Sequence, residues 1–260
     1  MAKLEIDVNV LPKSIDNAIT NVFDDITKQI GKVLVDSFYL KFGSKSYLAE
    51  KRRLLEKYGL IEFEKLLKTI IENIDPEKLV SPDFQTIHLA LNNAEFCLSS
   101  ETLRGMFANL IASSCNSDTT DFVHPSFSEI IKQMSPFDAK FLQYFVTTKP
   151  EMVISYEFIH STSHESYTRL NYIIDEYPDF DEIIKVSLAF SSLSRLGILA
   201  IHDDAMAFML SDTQFEKSSF YLNCEAERIA QGDYKNSRLL GKTAIITPLG
   251  QSFIKSCLPG

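Results

Sequence analysis

Two helix-start signals, nine residues apart, constrain the folding of this chain more than any other feature of its sequence. Ser126 and Glu129 have the capping-box spacing, in which the serine accepts a backbone N–H three residues on and the glutamate reaches back. Ser135 and Asp138 repeat this spacing with the related acid, and Pro136 occupies the first helical position, where proline is tolerated. The pattern predicts one helix that ends before Ser135 and a second that begins there, and we place a domain boundary at that point.

A long amphipathic helix is predicted near the N-terminus, over residues 14–40. Ser14 is a suitable N-cap, and apolar residues recur at steps of three and four, which places them on one stripe. Such a stripe either packs on its own domain or forms a coiled-coil seam between chains, which would make the protein a homo-oligomer. The stripe consists of Ile15, Ile19, Val22, Phe23, Ile26, Ile30 and Val33.

The rest of the region up to residue 134 is also predicted to be helical, because its apolar residues keep helical spacing between glycine and proline breaks. Helices are expected over residues 46–58, 60–73 and 84–98. A further helix is expected to begin after a serine cap at Ser99 or Ser100. One face of that helix carries Leu103, Met106, Phe107, Leu110 and Ile111.

One basic concentration occurs in this region and includes Lys51, Arg52 and Arg53. Such a cluster is usually a solvated helix face. The alternative is a contact with phosphate groups or with an anionic membrane surface. We therefore name these three residues as a possible anion-binding or surface contact.

The region from residue 135 onward is predicted to combine helices with a small β-ribbon, because short β-branched runs follow the helical segments. This order resembles a winged helix-turn-helix with a helical insertion near residues 214–241. We therefore predict a mainly α protein, with a helical region over 1–134 and a winged-helix-like α+β region over 135–260. In the second region the predicted helices are 137–145, 165–176 and 181–196, and the predicted strands are 198–202, 206–210 and 243–247.

Three stretches in the middle of the chain carry a family resemblance. They are PEKLVSP at residues 76–82, ETLRGMFANLIASS at 101–114 and VHPSFSEIIKQMSPFDAKFL at 123–142. On these motifs the chain resembles the Abi-alpha (abortive infection alpha) family. The resemblance implies a bacterial, phage or mobile-element protein connected with abortive infection, in which an infected cell stops growing or dies before the virus matures. It brings no established catalytic residues.

Asn109, His124 and Ser126 are the polar residues inside these family-like motifs, and we predict that they are structural. Ser126 is explained as a helix cap, and His124 precedes a proline where the chain enters a helix. Asn109 lies beside an apolar stripe and could bridge its helix to a loop carbonyl, because buried polar groups need partners. A ligand or partner site at these residues is the alternative.

No catalytic, metal-binding or cofactor-binding residue is predicted. Cys115 and His124 could form a thiolate and its base, but no third group orients them. The histidines and cysteines at 88, 97, 115 and 124 lack the close ligand pairs of zinc sites. A nuclease pair at Arg195 and His202 would need one helix, which Gly197 breaks. P-loop, GxSxG and HExxH motifs are absent from the sequence.

Charge and composition limit the classes of partner. The formal net charge is −9, and both the part before Ser135 and the part after it are acidic, which makes nucleic acid an improbable partner. No apolar run approaches the roughly 20 residues that a membrane span needs. The four cysteines are scattered and no secretory signal is present, so a cytoplasmic location is expected.

We therefore expect a protein associated with abortive infection that acts by protein–protein contact as an accessory, sensor or effector, without clear catalytic chemistry or a cofactor. Its partner would be a phage or host protein. Two alternatives stay open. The first is a DNA-binding regulator that uses the winged helix, and the second is a cryptic nuclease or other toxin enzyme.

Overall fold

The computed structural model describes residues 59–148, 152–175, 182–202, 209–210 and 213–259. They fall into two compact units. The first is the chain up to Pro136 together with residues 252–260, and the second is residues 137–251. The domain division that we expected, 1–134 and 135–260, stays a prediction, and the helices expected over residues 14–40 and 46–58 lie outside the described residues.

Eight α-helices and five β-strands make up the regular structure of the described residues. In chain order they are α1 (Leu60–Glu72), α2 (Phe84–Ala94), α3 (Glu101–Ser114), α4 (Phe127–Gln133), α5 (Pro136–Thr148), β1 (Val153–His160), β2 (Ser166–Ile173), α6 (Ile183–Arg195), β3 (Leu199–His202), β4 (Met209–Leu210), α7 (Ser219–Gln231), β5 (Tyr234–Ile246) and α8 (Pro248–Cys257).

The first unit is built from helices whose apolar faces meet in one core. α3 packs against α1, α2 and α4, and its predicted apolar face is buried along its whole length. Ser100 caps α3 by accepting the N–H of Leu103, which confirms one of the two predicted caps. The core is filled by large side chains with almost no exposed surface, namely Phe63, Leu67, Ile87, Phe107, Ile111, Phe127 and Phe253.

The second unit contains an antiparallel sheet of five strands. The strand order is β2-β1-β5-β3, and β4 also pairs with β5. β5 is thirteen residues long. Its first part pairs with β1, from Val153 opposite Lys242 to His160 opposite Tyr234, and its last part pairs with β3. One sheet face is apolar and packs against α7 and its neighbours through Ile154, Tyr156, Phe158, Ile173, Ile183, Phe215, Cys224 and Leu239.

The fold-class prediction was wrong. The described chain is α+β, and the region expected to be winged-helix-like contains a five-stranded antiparallel sheet. The predicted strands at 198–202 and 243–247 do pair, as β3 and the end of β5. However, β5 continues back to Tyr234 and joins β1 and β2, to which we had assigned no strand. The segment near 214–241, where a helical insertion was expected, holds α7. Gly232 ends that helix with a left-handed backbone (φ 74°), and strand β5 follows.

The segment over 165–176 was predicted to be a helix, and its residues Ser166–Ile173 form strand β2 instead. Tyr167, Leu170 and Ile173 lie opposite residues of β1 that are spaced by two. The β1–β2 ladder has two register shifts over this length. Each shift adds a residue to β2, as a β-bulge does. The bulges therefore produce a helix-like spacing in a strand.

Candidate functional site

Two polar residues of α3 hold the end of α8 within the first unit. The Nδ2 atom of Asn109 donates to the backbone carbonyl of Cys257 at 3.3 Å, and the Oγ atom of Ser113 donates to the carbonyl of Ser256 at 3.0 Å. The last carbonyls of a helix have no partner within the helix, so these two side chains satisfy them. This contact supports the structural role predicted for Asn109, and the role itself stays a prediction.

His124 and Ser126 form a local hydrogen-bonded turn before α4. The Nδ1 atom of His124 accepts the Ser126 backbone N–H at 3.2 Å and lies 2.7 Å from its Oγ atom. Ser126 stands at the N-cap position, but its side chain accepts no helix N–H, and its backbone is helical rather than extended. Glu129 accepts a hydrogen bond from Asn93 at 2.7 Å. The predicted capping box is therefore not formed, and the structural assignment of His124 and Ser126 stays a prediction.

Ser126→Ala should change stability little, because the exposed hydroxyl that it removes caps no helix. We expect the free energy of unfolding to fall by about 0.5 kcal/mol or less. Ser100→Ala is the matched control, since Ser100 does cap α3, and it should cost about 1 kcal/mol. Chemical denaturation of both variants measures the difference. Equal losses would mean that Ser126 caps α4 in solution.

A thiolate nucleophile at Cys115 has no support in the structure. The side chain is fully buried, and desolvation by burial raises the pKa of its thiol to about 12. The other three thiols, at Cys97, Cys224 and Cys257, are free and buried as well. The thiolate is the reactive form of cysteine, so Cys115 stays protonated and unreactive at neutral pH.

The remaining chemical candidates are not brought together. Across residues 59–259 where the structure describes them, no three His, Cys, Asp or Glu side chains are placed to hold a metal. Arg195 ends α6 and His202 ends β3, so they do not share the helix that the nuclease alternative requires. Lys51, Arg52 and Arg53 lie outside the described residues, so their contact with an anion or surface stays a prediction.

A polar network joins α7 to the apolar face of the sheet. The hydroxyl of Tyr156 donates to Oε1 of Glu225 at 2.6 Å. Arg228 donates to Oε2 of Glu225 through Nε and Nη2, at 3.0 and 2.7 Å, and to the carbonyl of Tyr234 through Nη1. These residues were not predicted from the sequence, although the spacing of Glu225 and Arg228, three apart on a helix, is a signal for an ion pair.

The titration behaviour of this network fits a structural role. Burial, followed by the hydrogen bond to Glu225, raises the pKa of Tyr156 well above its ordinary value, so its hydroxyl stays a donor. Burial raises the pKa of Glu225, but hydrogen bonds from Arg228, Tyr156 and Ser237 outweigh that effect and hold it below its ordinary value. Glu225 is therefore an ionised acceptor at neutral pH. Neither group is poised for acid–base catalysis near pH 7.

The opposite face of the sheet also carries paired polar groups. Glu157 on β1 accepts two hydrogen bonds from its cross-strand partner Arg238, at 3.0 and 2.8 Å. The hydroxyl of Ser155 donates to Oδ1 of Asn171 at 2.6 Å. Because the Glu157 carboxylate is neutralised across the strands, this arrangement stabilises strand pairing and presents no free base.

The outer side of α7 differs from every buried face described above, because it presents an apolar stripe to solvent. Leu222 is 57% exposed and Ile229 is 70% exposed, and the exposed Ala226 lies between them. These three residues stand at helical spacings of four and three and therefore share one face. We call this surface the α7 stripe. A second exposed aliphatic pair, Ile184 and Leu188, lies on α6.

The comparison with known protein families decides the affiliation. The sequence model of the abortive infection alpha family matches residues 55–257. The chain belongs to this family. It is therefore associated with abortive infection, as the motifs at 101–114 and 123–142 indicated. Neither a curated protein nor a solved structure matches the chain significantly. In the parts of this family member that the structure describes, no helix is long and apolar enough to cross a lipid bilayer.

Proposed function

We propose that this member of the abortive infection alpha family works by binding another protein, of phage or host origin, in the cytoplasm of the infected cell. The observation that carries the proposal is the α7 stripe, which places two large aliphatic side chains in solvent on a helix that is otherwise firmly anchored. Exposed apolar residues that share one face are a common feature of protein interaction surfaces. The Cys115 thiol is buried and protonated, and the carboxylates of Glu157 and Glu225 are paired with arginines, which favours a binding protein over an enzyme.

Replacing the two large residues of the α7 stripe should abolish protection while leaving the fold intact. Leu222→Ser with Ile229→Ser removes the exposed aliphatic groups without a change in charge. A diverse panel of phages is plated on bacteria with and without the unmodified chain. A responsive phage should form fewer plaques on the bacteria that express the chain. The double variant should return plaque numbers to those of bacteria without the protein.

Leu188→Ser is the matched control for this experiment, because Leu188 is an aliphatic side chain of similar exposure, 67%, on helix α6 of the same unit. It should protect as well as the unmodified chain. Circular dichroism and melting temperature should be unchanged in both variants, since exposed positions contribute little to stability. Full protection by the double variant would contradict the proposal.

A further inference from the structure

Helix α2 carries no charged side chain, although one of its sides faces away from the core of the first unit. Its sequence, FQTIHLALNNA over Phe84–Ala94, contains no Asp, Glu, Lys or Arg. Its inner side, which includes the buried residues Ile87 and Leu91, packs against α3 and α4. A surface helix of a globular protein usually places charged residues on its outer side. The composition of α2 is therefore typical of a helix that is covered on both sides.

The outer side of α2 presents apolar and uncharged polar groups. Phe84 is 51% exposed, and its ring stacks on that of His88 with 5.8 Å between the centroids. Leu89 and Asn92 follow on the same side at helical spacing and are half-buried. Phe96, which is 63% exposed, lies in the turn just beyond the helix. We call this surface the α2 face, and it extends for about 18 Å because each helical residue adds about 1.5 Å.

The composition of the α2 face limits what can occupy it. The cores of protein interfaces are depleted in charged residues and enriched in aromatic ones. The nearest charge, on Lys132 over the ring of Phe96, is paired with Glu129, so the face selects neither an acidic nor a basic partner. The buried Nδ1 atom of His88 has no hydrogen-bond partner among the described residues. An amphipathic segment, with apolar side chains in contact and polar ones at its edge, would satisfy both the rings and this atom.

The N-terminal part of this chain, which lies outside the described residues, enters the first unit beside the α2 face. Gly59 is the first described residue. It is buried against Leu98, where a Cβ atom on Gly59 would stand 2.9 Å from the Cβ atom of Leu98 and 3.0 Å from its carbonyl oxygen. Leu98 follows Phe96 by two residues. The preceding segment is therefore tethered next to this surface, and a tether of this kind gives an effective concentration of about millimolar.

The apolar stripe predicted within residues 14–40 has the length and the chemistry that the α2 face requires. From Ile19 to Val33 it would cover about 21 Å as a helix, close to the length of the face. We propose that this stripe docks on the α2 face of its own chain, with its aliphatic residues against Phe84 and Phe96. The inference is independent of the proposed function, which concerns the α7 stripe.

Hydrogen–deuterium exchange of the full chain, followed by mass spectrometry, tests the docking. The peptide that covers residues 15–33 should be protected in the unmodified chain, and about tenfold dilution should not change its exchange, because the contact lies within one chain. Phe84→Ser should speed exchange of this peptide at least about tenfold, since it removes the ring on which the stripe packs. Tyr167→Ser is the matched control, an aromatic residue of similar exposure (56%) on β2 of the other unit, and it should change nothing in this peptide.

A photoreactive phenylalanine derivative at Phe84 gives a second readout that does not depend on the stability of a truncated side chain. Irradiation of the full chain, mixed with an isotope-labelled copy, should join position 84 to a peptide within residues 14–40 of the same molecule. Rapid exchange of residues 15–33 in the unmodified chain, or a product that joins position 84 to any other segment, would overturn the inference. Products that pair labelled with unlabelled copies would overturn it as well, because the α2 face would then bind a second copy.

Discussion

Gly250→Ala should destabilise the second unit, although alanine is the better helix former. Gly250 lies in the first turn of α8, where a Cβ atom would overlap the backbone oxygen of Ile198 and stand 2.9 Å from the Cγ2 atom of Ile246. The carbonyl of Ile198 also accepts the N–H of Thr247, which holds the chain in this close approach. A backbone oxygen cannot rotate away as a side chain can, so α8 has to move. We expect a loss of about 2 to 3 kcal/mol in the free energy of unfolding, as overpacking typically costs.

Gly105→Ala is the matched control for Gly250→Ala, because Gly105 is also inside a helix but has space around it. Its Cβ atom would lie 4.0 Å from Cδ2 of Leu66, which is an ordinary contact. Helix propensity then dominates, and the variant should be about 0.5 to 1 kcal/mol more stable than the unmodified chain. Thermal and chemical denaturation of both variants measures the two effects. A stabilised Gly250→Ala protein would show that α8 does not approach Ile198 so closely.

Arg228→Ala should be the most damaging change to the polar network beneath α7. The Arg228 and Glu225 side chains are only 12% and 18% exposed, and the substitution leaves the Glu225 carboxylate and the Tyr234 carbonyl without the arginine. Removing one partner of a buried pair costs about 3 to 5 kcal/mol. Because this pair keeps some contact with water, we expect about 2 to 3 kcal/mol.

The control for Arg228→Ala is Lys65→Ala. Lys65 and Glu62 form an ion pair with the same order and spacing on α1, at 3.1 Å, but their side chains are 69% and 52% exposed. Its loss should cost less than about 0.5 kcal/mol. Equal losses in the two variants would contradict a stabilising role for the buried network.

Acidification should weaken the polar network beneath α7. The pKa of Glu225 is lower in the folded protein than its ordinary value, so its stabilising contribution is complete above the unfolded pKa of about 4.3. The contribution is lost as the pH falls through the folded pKa. The Arg228→Ala protein should therefore lose less stability on acidification than the unmodified chain does over that interval.

The apolar pattern of the sequence predicted the described helices of the first unit because helical spacing and breaks agree there, although the cap expected at Ser126 is not formed. α3 illustrates this agreement, since Ser100 caps it and its predicted face is buried. In β2 the same reasoning failed for a physical cause. Its bulges place Tyr167, Leu170 and Ile173 at intervals of three, and only the pairing with β1, which the apolar spacing does not reveal, distinguishes this pattern from a helix.

The polar residues of the family-like motifs were only partly predictable. The bridging role expected of Asn109 agrees with its bond to the carbonyl of Cys257, although that partner is 148 residues away and lies in a helix rather than a loop. Ser126 has the sequence spacing of a cap, but the ring of His124 holds its hydroxyl. The α7 stripe was missed because its leucine and isoleucine resemble ordinary core positions. Their exposure becomes evident only when the opposite side of α7 is seen to face the sheet.

Site-specific photo-cross-linking in infected bacteria tests the central claim, a protein contact through α7, most directly. A photoreactive phenylalanine derivative is placed at Ile229 in one strain and at Leu188 in another, and both strains are irradiated during infection by a phage against which the protein protects. The account predicts a covalent product from position 229, none from position 188, and a phage or host protein as the cross-linked partner when the product is identified by mass spectrometry. No product from position 229 in cells that are protected, or equal products from both positions, would contradict it.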